Sequence, residues 1–125
     1  MVNVYLFTDD YDRLFNFYHK TLKFKELDCV LTFPENDNAG IWLLNSHGNP
    51  TGLSYFGYEV KTNFLSYCDS LISLGVKFEM VWSQPSGYVA RFFDPDGNTI
   101  QITCECFDET NDVDTSKWGL FNRIK

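Results

Sequence analysis

Cysteine and histidine carry much of the covalent and metal chemistry of proteins, and this chain has four of the first and two of the second. Cys104 and Cys106 are two residues apart, so on a strand they share a face. Cys29 and Cys68 stand alone in sequence, and no Cys-x-x-Cys occurs. His19 and His47 leave few ligands for a zinc site. There is no Gly-x-Ser-x-Gly elbow and no glycine-rich phosphate loop. Glu59 is a carboxylate that could serve as a general base. The 125 residues include 17 acids against 10 bases, a net charge of −7, and 18% are aromatic. Such acidity repels phosphate backbones, so a nucleic-acid partner is not expected. A cationic or aromatic small molecule fits better, although acidity also serves solubility alone. No apolar run approaches the ~18–20 residues that span a bilayer. No basic residue precedes the apolar stretch of MVNVYLFTDD. No membrane partner, no secretory signal, reduced thiols and a cytoplasmic location are therefore expected.

The elements that would position these residues follow from periodicity. Residues 2–8 alternate, with Val2, Val4 and Leu6 on one face and Asn3, Tyr5 and Phe7 on the other, which predicts a strand. Asp10 is placed to cap a helix in which Leu14, Phe15, Phe17, Tyr18 and Leu22 recur at helical spacing. Residues 25–33 predict a strand, 34–40 a turn, 41–45 a short buried strand and 46–52 a polar connector. The cycle then restarts with a strand over 53–60, Thr62 as N-cap, and a helix carrying Phe64, Cys68, Leu71 and Ile72 on one stripe. A strand over 76–82 and a loop over 83–87 follow. Two further strands, 87–93 and 99–106, are joined by the turn sequence DPDGN. An offset of 52 residues sets Asn3 on Tyr55, Asp10 on Thr62 and Leu22-Lys23-Phe24 on Leu74-Gly75-Val76. One α+β domain over 1–108 is expected, made of module one (1–50) and module two (51–108). Residues 109–125 form a tail with Trp118, Leu120, Phe121 and Ile124, too apolar to leave in water, and it is expected to dock on the body or on a partner chain.

The tandem repeat, the helix segment YDRLFNFYHKTLKF and the hairpin GYVARFFDPDGNTIQI together resemble the vicinal oxygen chelate superfamily. That superfamily holds glyoxalase I, extradiol dioxygenases, fosfomycin-resistance enzymes and bleomycin-resistance proteins. Its usual FY…LGF pattern is matched by Phe17-Tyr18 and Leu22-Lys23-Phe24, and its usual DPDGN is followed here, as there, by an alternating strand. The resemblance spans roughly residues 1–106. It implies tandem βαβββ modules, each a curved half-barrel sheet, enclosing a cavity, and a homodimer.

The resemblance also implies where a metal would bind. Metal-dependent members place a His near the start of the first strand of each module and a Glu three residues after the hairpin's Asn. Those positions here are Asn3, Tyr55 and Gln101, with the first module's last-strand position falling within Leu43-Leu44-Asn45. Neutral amides and a phenol with pKa ~10 are poor ligands for a divalent transition metal. His19 sits on the helix and His47 in the connector. The expectation is therefore no metal and no cofactor, which puts metal-dependent isomerisation and dioxygenation in doubt. The bleomycin-resistance proteins, which bind without catalysis or a protein-bound metal, become the branch this chain resembles.

Alternation assigns faces in the second module too. Ile100 and Ile102 should face the helix, leaving Thr99, Gln101 and Thr103 for the cavity. Arg91 and Phe93 should share that face, as should Tyr55 and Glu59. The expected ligand-binding set is Asn3, Tyr5, Phe7, Trp42 near the rim, Tyr55, Glu59, Arg91, Phe93, Thr99 and Gln101. Tyr5, Tyr55 and Phe93 can stack on a flat ligand, Glu59 can pair with a cation, and Arg91 can anchor a carboxylate or neutralise Glu59. Binding is favoured over catalysis. The expected function is a metal-free small-molecule-binding protein sequestering a cationic or aromatic compound, as in antibiotic resistance. The alternatives are a metal-dependent lyase, isomerase or dioxygenase with atypical ligands, and a dimeric regulatory or interaction module whose cavity is filled by its own side chains.

Overall fold

In the computed structural model, which describes residues 2–118 and 121–123, the alternating N-terminal segment is strand β1 (Val2–Thr8). Helix α1 (Tyr11–Asn16) follows, and the Asp10 side chain accepts the Arg13 backbone N–H at 3.1 Å. The single helix expected through Leu22 changes pitch. Phe17–Thr21 is a π-helical stretch, in which the Leu22 N–H reaches back five residues to the Phe17 carbonyl. Leu14, Tyr18 and Leu22 nevertheless keep one line and are fully buried.

The strand expected over 25–33 is split into a hairpin, β2 (Lys25–Leu27) and β3 (Val30–Phe33). At its tip Asp28 takes a φ of 53°, a left-handed conformation that Asp and Asn adopt more readily than most residues. The turn expected over 34–40 shrinks to Pro34-Glu35, and β4 (Asn36–Asn45) begins five residues before the buried strand read from sequence. Asn36, Asp37 and Asn38 are exposed, so their polarity marks a solvated strand end. β4 pairs parallel with β1, Val2 opposite Ala39 through Thr8 opposite Asn45, and antiparallel with β3.

Module two repeats the pattern as β5 (Tyr55–Glu59), α2 (Phe64–Ser73), β6 (Lys77–Gln84), β7 (Gly87–Phe93) and β8 (Thr99–Cys104). β8 stops two residues short of the expected end, because the chain bends at Glu105-Cys106. Thr62 is not the N-cap. Asn63 is, in a left-handed conformation with φ 55°, and its side chain makes no cap bond to the helix. The acceptor comes from far along the chain: Glu109 takes the Leu65 N–H at 2.6 Å and the Ser66 hydroxyl at 3.2 Å. A 3₁₀ turn (Thr115–Trp118) leads to β9 (Phe121–Arg123), which lies parallel to β6, and the Trp118 indole N–H donates to Asp69 at 3.0 Å. Leu120 and Ile124 lie outside the described residues.

Strand order is β1-β4-β3-β2 in one sheet and β5-β8-β7-β6-β9 in the other, the same order twice with β9 added at an edge. The chain thus adopts the expected α+β architecture of tandem βαβββ modules. It divides into two compact units, residues 1–56 with 94–99, and residues 57–93 with 100–125. The core of the first holds Leu6, Leu14, Tyr18, Leu22, Phe24 and Ile41. That of the second holds Phe64, Leu71, Val81, Phe92, Ile100 and Ile102. The turn DPDGN belongs with the first unit, and hydrogen bonds show why. Asp94 is buried and accepts the Tyr18 hydroxyl at 2.6 Å, the Asn98 backbone N–H at 2.9 Å and the Asn98 side-chain amide at 2.8 Å. Arg13 bonds Asp96 at 2.6 Å, and Asn98 accepts the Ser54 N–H at 2.9 Å. Burial, and then the Asp94 carboxylate, hold the Tyr18 phenol well above its ordinary pKa, so it remains a donor.

Candidate functional site

The first sheet has two unlike faces. Leu6, Thr8, Ile41 and Leu43 are buried on one. On the other, Asn3, Tyr5 and Phe7 of β1 stand opposite Gly40, Trp42 and Leu44 of β4. Two steps along β1 from Asn3 to Phe7 cover roughly 13 Å at ~3.3 Å per residue. Tyr5 is 57% exposed, and its ring centroid lies 6.4 Å from that of Trp42 at an interplanar angle of 37°. Asn3 and Trp42 are half-buried, and each has a polar atom sealed from solvent with no hydrogen-bond partner: the Asn3 side-chain carbonyl oxygen and the Trp42 indole N–H. A buried donor or acceptor left unbonded costs about 1–3 kcal/mol, so a fold keeps one only where something offsets it. One acceptor and one donor therefore wait on neighbouring strands beside an exposed aromatic ring.

At the carboxyl ends of β1 and β4 this face runs into an open pocket of about 390 Å³. Phe7, Tyr11, Leu44 and, from the sheet's buried side, Leu43 supply its apolar wall, and Asn45, His47 and Asn49 its polar one. The connector holds its shape by bonding itself. The Ser46 hydroxyl donates to Asp9, and the Asn49 backbone and side-chain N–H groups both donate to the Ser46 carbonyl, at 2.7 and 2.9 Å. Of the expected site residues only Phe7 lines this pocket. Tyr11, Asn45, His47 and Asn49 escape periodicity because three belong to a strand end and a connector, and the fourth starts a helix. The one visible signal is a His and two Asn clustered where a connector needs only turn formers.

The second sheet holds the rest of the expected set. Ile100 and Ile102 are fully buried on one face, as is Phe92, which leaves Thr99, Gln101, Arg91 and Phe93, all half-buried, on the other. Arg91 lies at the centre of that face. It donates to Gln101 at 3.3 Å and to Glu79 at 3.1 Å, and its guanidinium carbon is 5.7 Å from the centroid of the Trp82 ring. Alternation alone would pair Arg91 with Glu59, but the carboxylate beside it is Glu79. The reason is a bulge between Phe78 and Met80, which shifts the β6–β7 register and brings Glu79 to Arg91. Tyr55 and Glu59 are exposed on β5. Gly57 between them is required by close approach, since a Cβ there would overlap the Gln101 carbonyl oxygen of β8.

The residues at the superfamily's metal positions do not suit a divalent transition metal. Asn3 and Gln101 present neutral amides, and the Gln101 carbonyl oxygen accepts from Arg91. Tyr55 offers a phenol on an exposed stretch of β5. Among the described residues no three His, Cys, Asp or Glu side chains are grouped to hold a metal ion. Among them, too, no helix is long and apolar enough to cross a membrane.

Comparison with known proteins agrees with this architecture. The chain is similar in structure to TnmS3, an antibiotic binding protein from Streptomyces sp. CB03234, with a TM-score of 0.69 and 25% identity over 85% of this chain and 96% of that one. A glyoxalase/bleomycin resistance protein from the same Streptomyces strain superposes with a TM-score of 0.70 at 22% identity, covering 82% of this chain and 99% of that one. A lactoylglutathione lyase from Agrobacterium tumefaciens shares the fold with a TM-score of 0.62 at 17% identity, over 83% and 92% of the two chains. Comparison with curated proteins gave no match. The model of the Glyoxalase/Bleomycin resistance protein/Dioxygenase superfamily matches residues 1–102, and the chain, with its twice-repeated strand order, belongs to that superfamily.

Proposed function

We propose that this protein binds a planar aromatic small molecule on the open face of its first sheet, without a metal or other cofactor, and acts by sequestering it. The observation that carries this reading is the pair of buried, unbonded polar atoms on Asn3 and Trp42. Once the side chains that cover them shift, a ligand bearing a carbonyl for the indole N–H and an N–H or O–H for the amide oxygen satisfies both. Tyr5 supplies a stacking surface beside them, and Phe7 carries the contact into the pocket. The likeness to an antibiotic binding protein supports a compound of that kind, and the net charge of −7 favours a neutral or cationic one. Tyr55, Glu59, Arg91, Phe93, Thr99 and Gln101 are proposed as ligand contacts on the second sheet's own open face, considered by itself. A homodimer and a cytoplasmic setting belong to the same proposal, the first checked by light scattering on the purified chain.

The test is thermal stabilisation and calorimetric titration against a panel of planar aromatic antibiotics in the presence of a strong chelator. Saturable stabilisation that survives chelation is expected, and at [ligand] of about 100 Kd it amounts to about 2.7 kcal/mol. Trp42→Phe keeps an aromatic face, though a smaller one, and removes the N–H, so affinity should fall about tenfold or more. No stabilisation by any member of the panel, or binding that requires one metal ion per chain, overturns the proposal.

A further inference from the structure

Apart from the ligand face, the second unit holds a pair of thiols that the superfamily assignment leaves unexplained. An extended strand sets residues i and i+2 about 6.6–6.8 Å apart, near the outer limit for disulfide closure. Here the strand stops at Cys104 and the chain bends through Glu105 and Cys106, which folds the second sulfur back on the first. The two Sγ atoms are 3.5 Å apart. The Lys61 carbonyl accepts from both, at 3.5 Å from Cys104 and 3.1 Å from Cys106, so both sulfurs are oriented toward one point. Cys104 is buried behind, and Cys106 is partly open to solvent.

We propose that Cys104 and Cys106 are a dithiol that a hydroperoxide converts to an intramolecular disulfide, a modification site independent of the ligand-binding reading. The partly exposed Cys106 sulfur attacks the peroxide oxygen. An S–O bond forms, the O–O bond breaks, and the thiol proton leaves with the departing alcohol or water. The Cys104 sulfur then attacks the Cys106 sulfenic acid. The S–S bond forms, the S–O bond breaks, and hydroxide departs as water with the Cys104 proton. Two thiols have lost two electrons and the peroxide has gained them, and two equivalents of a low-molecular-weight thiol reverse the change by exchange.

The division of roles follows from the surroundings. Burial pushes the Cys104 thiol up to about 11, a bond to the Cys106 backbone pulling against the rise while the Cys106 sulfur and Glu109 add to it, so Cys104 stays protonated and is shielded from peroxide. It suits the second step, where contact with its target supplies a high effective concentration. A thiophilic metal is the other use of two such thiols, but they lack a third side-chain ligand among the described residues.

The experiment treats the folded full chain with hydrogen peroxide, removes the peroxide, unfolds the chain in guanidinium, blocks remaining thiols with N-ethylmaleimide, and reads intact and peptide masses. The expected product takes up two labels fewer than the untreated chain. Its peptide containing Cys104 and Cys106 is lighter by two hydrogen atoms and is restored by dithiothreitol. Cys104→Ser should stop at a Cys106 sulfenic acid that dimedone traps, and Cys104→Ala repeats the measurement should the serine disturb the fold. Cys29→Ser should close the disulfide as the parent does. A disulfide that instead links two chains through Cys29, or full labelling of all four cysteines after peroxide, overturns the proposal.

Discussion

The two sheets carry polar residues on matching faces and satisfy them to different degrees. On the second, Arg91 is engaged within its own sheet by Glu79 and Gln101 and lies against Trp82. On the first, the Asn3 oxygen and the Trp42 N–H are sealed from water and bonded to nothing. The same strand order thus supports one face whose central guanidinium is bonded through its two terminal nitrogens, its Nε alone being buried without a hydrogen bond, and another whose Asn3 oxygen and Trp42 N–H are both left unbonded. A polar residue on a sheet face is consequently weak evidence for binding until its bonds have been traced. By that standard the first sheet is the better candidate for ligand contact.

The modules also differ in how their helices are fastened, and here the largest mutational effect is expected. The first module ties its helical segment to the DPDGN turn through the Tyr18 hydroxyl and the buried Asp94 carboxylate, 2.6 Å apart. Tyr18→Phe removes a hydrogen bond to a charged acceptor and should lower unfolding free energy by about 2 kcal/mol in urea titration. The pH dependence has a definite sign. Tyr18 titrates higher in the folded chain than in the unfolded one, first through burial and then through Asp94. Its contribution is therefore fully present below about pH 10 and is lost as pH rises toward the raised value. The parent should lose stability steeply in that window and the Phe variant less so. Equal alkaline slopes for the two would remove this fastening from the comparison.

A pair of substitutions tests the faces directly. Arg91→Met removes one hydrogen-bond partner each from Glu79 and Gln101, together with the contact with Trp82. Glu79 is 41% exposed and rehydrates, so the loss should be only about 1 kcal/mol. Asn3→Leu replaces the unbonded amide by an apolar group of similar shape and should raise stability by up to about 1 kcal/mol while weakening ligand binding. Opposite signs in parallel thermal melts support the contrast between the sheets. Two losses of equal size would mean that Asn3 is already satisfied in solution.

Much of this was legible in residue patterns because it rests on local periodicity. The alternation of β1 and β8 and the buried stripe of Phe64, Cys68 and Leu71 are each set within a few residues. Tyr18 and the DPDGN turn were both visible as motifs, but their hydrogen bond joins residues 76 apart, which no local pattern carries. The start of β4 escapes local pattern because Asn36-Asp37-Asn38 has turn composition, and only pairing with neighbouring strands makes it extended. The Glu79 partner of Arg91 depends on a bulge that ordinary alternation cannot register. In the site, the faces were readable. The unbonded atoms were not, since an unsatisfied group is defined by everything that fails to reach it.

The smallest effect concerns the two helix starts. α1 is capped from within its own turn, Asp10 accepting the Arg13 N–H. α2 begins at a left-handed Asn63 with no cap bond of its own and borrows Glu109, whose carboxylate takes the Leu65 N–H and the Ser66 hydroxyl. Asp10→Asn preserves a good N-cap and should change stability by no more than a few tenths of a kcal/mol. Glu109→Gln keeps an acceptor oxygen but removes the negative charge from the helix's positive end, which should cost about 0.5 kcal/mol at low ionic strength and less in high salt. It should also speed amide hydrogen exchange in the first turn of α2, where Leu65 depends on this residue. If Asp10→Asn loosens α1 as much as Glu109→Gln loosens α2, the distant carboxylate is no different in kind from an ordinary local cap. A larger, salt-sensitive response confined to α2 would instead make Glu109 the point through which the segment after β8 stabilises the second module.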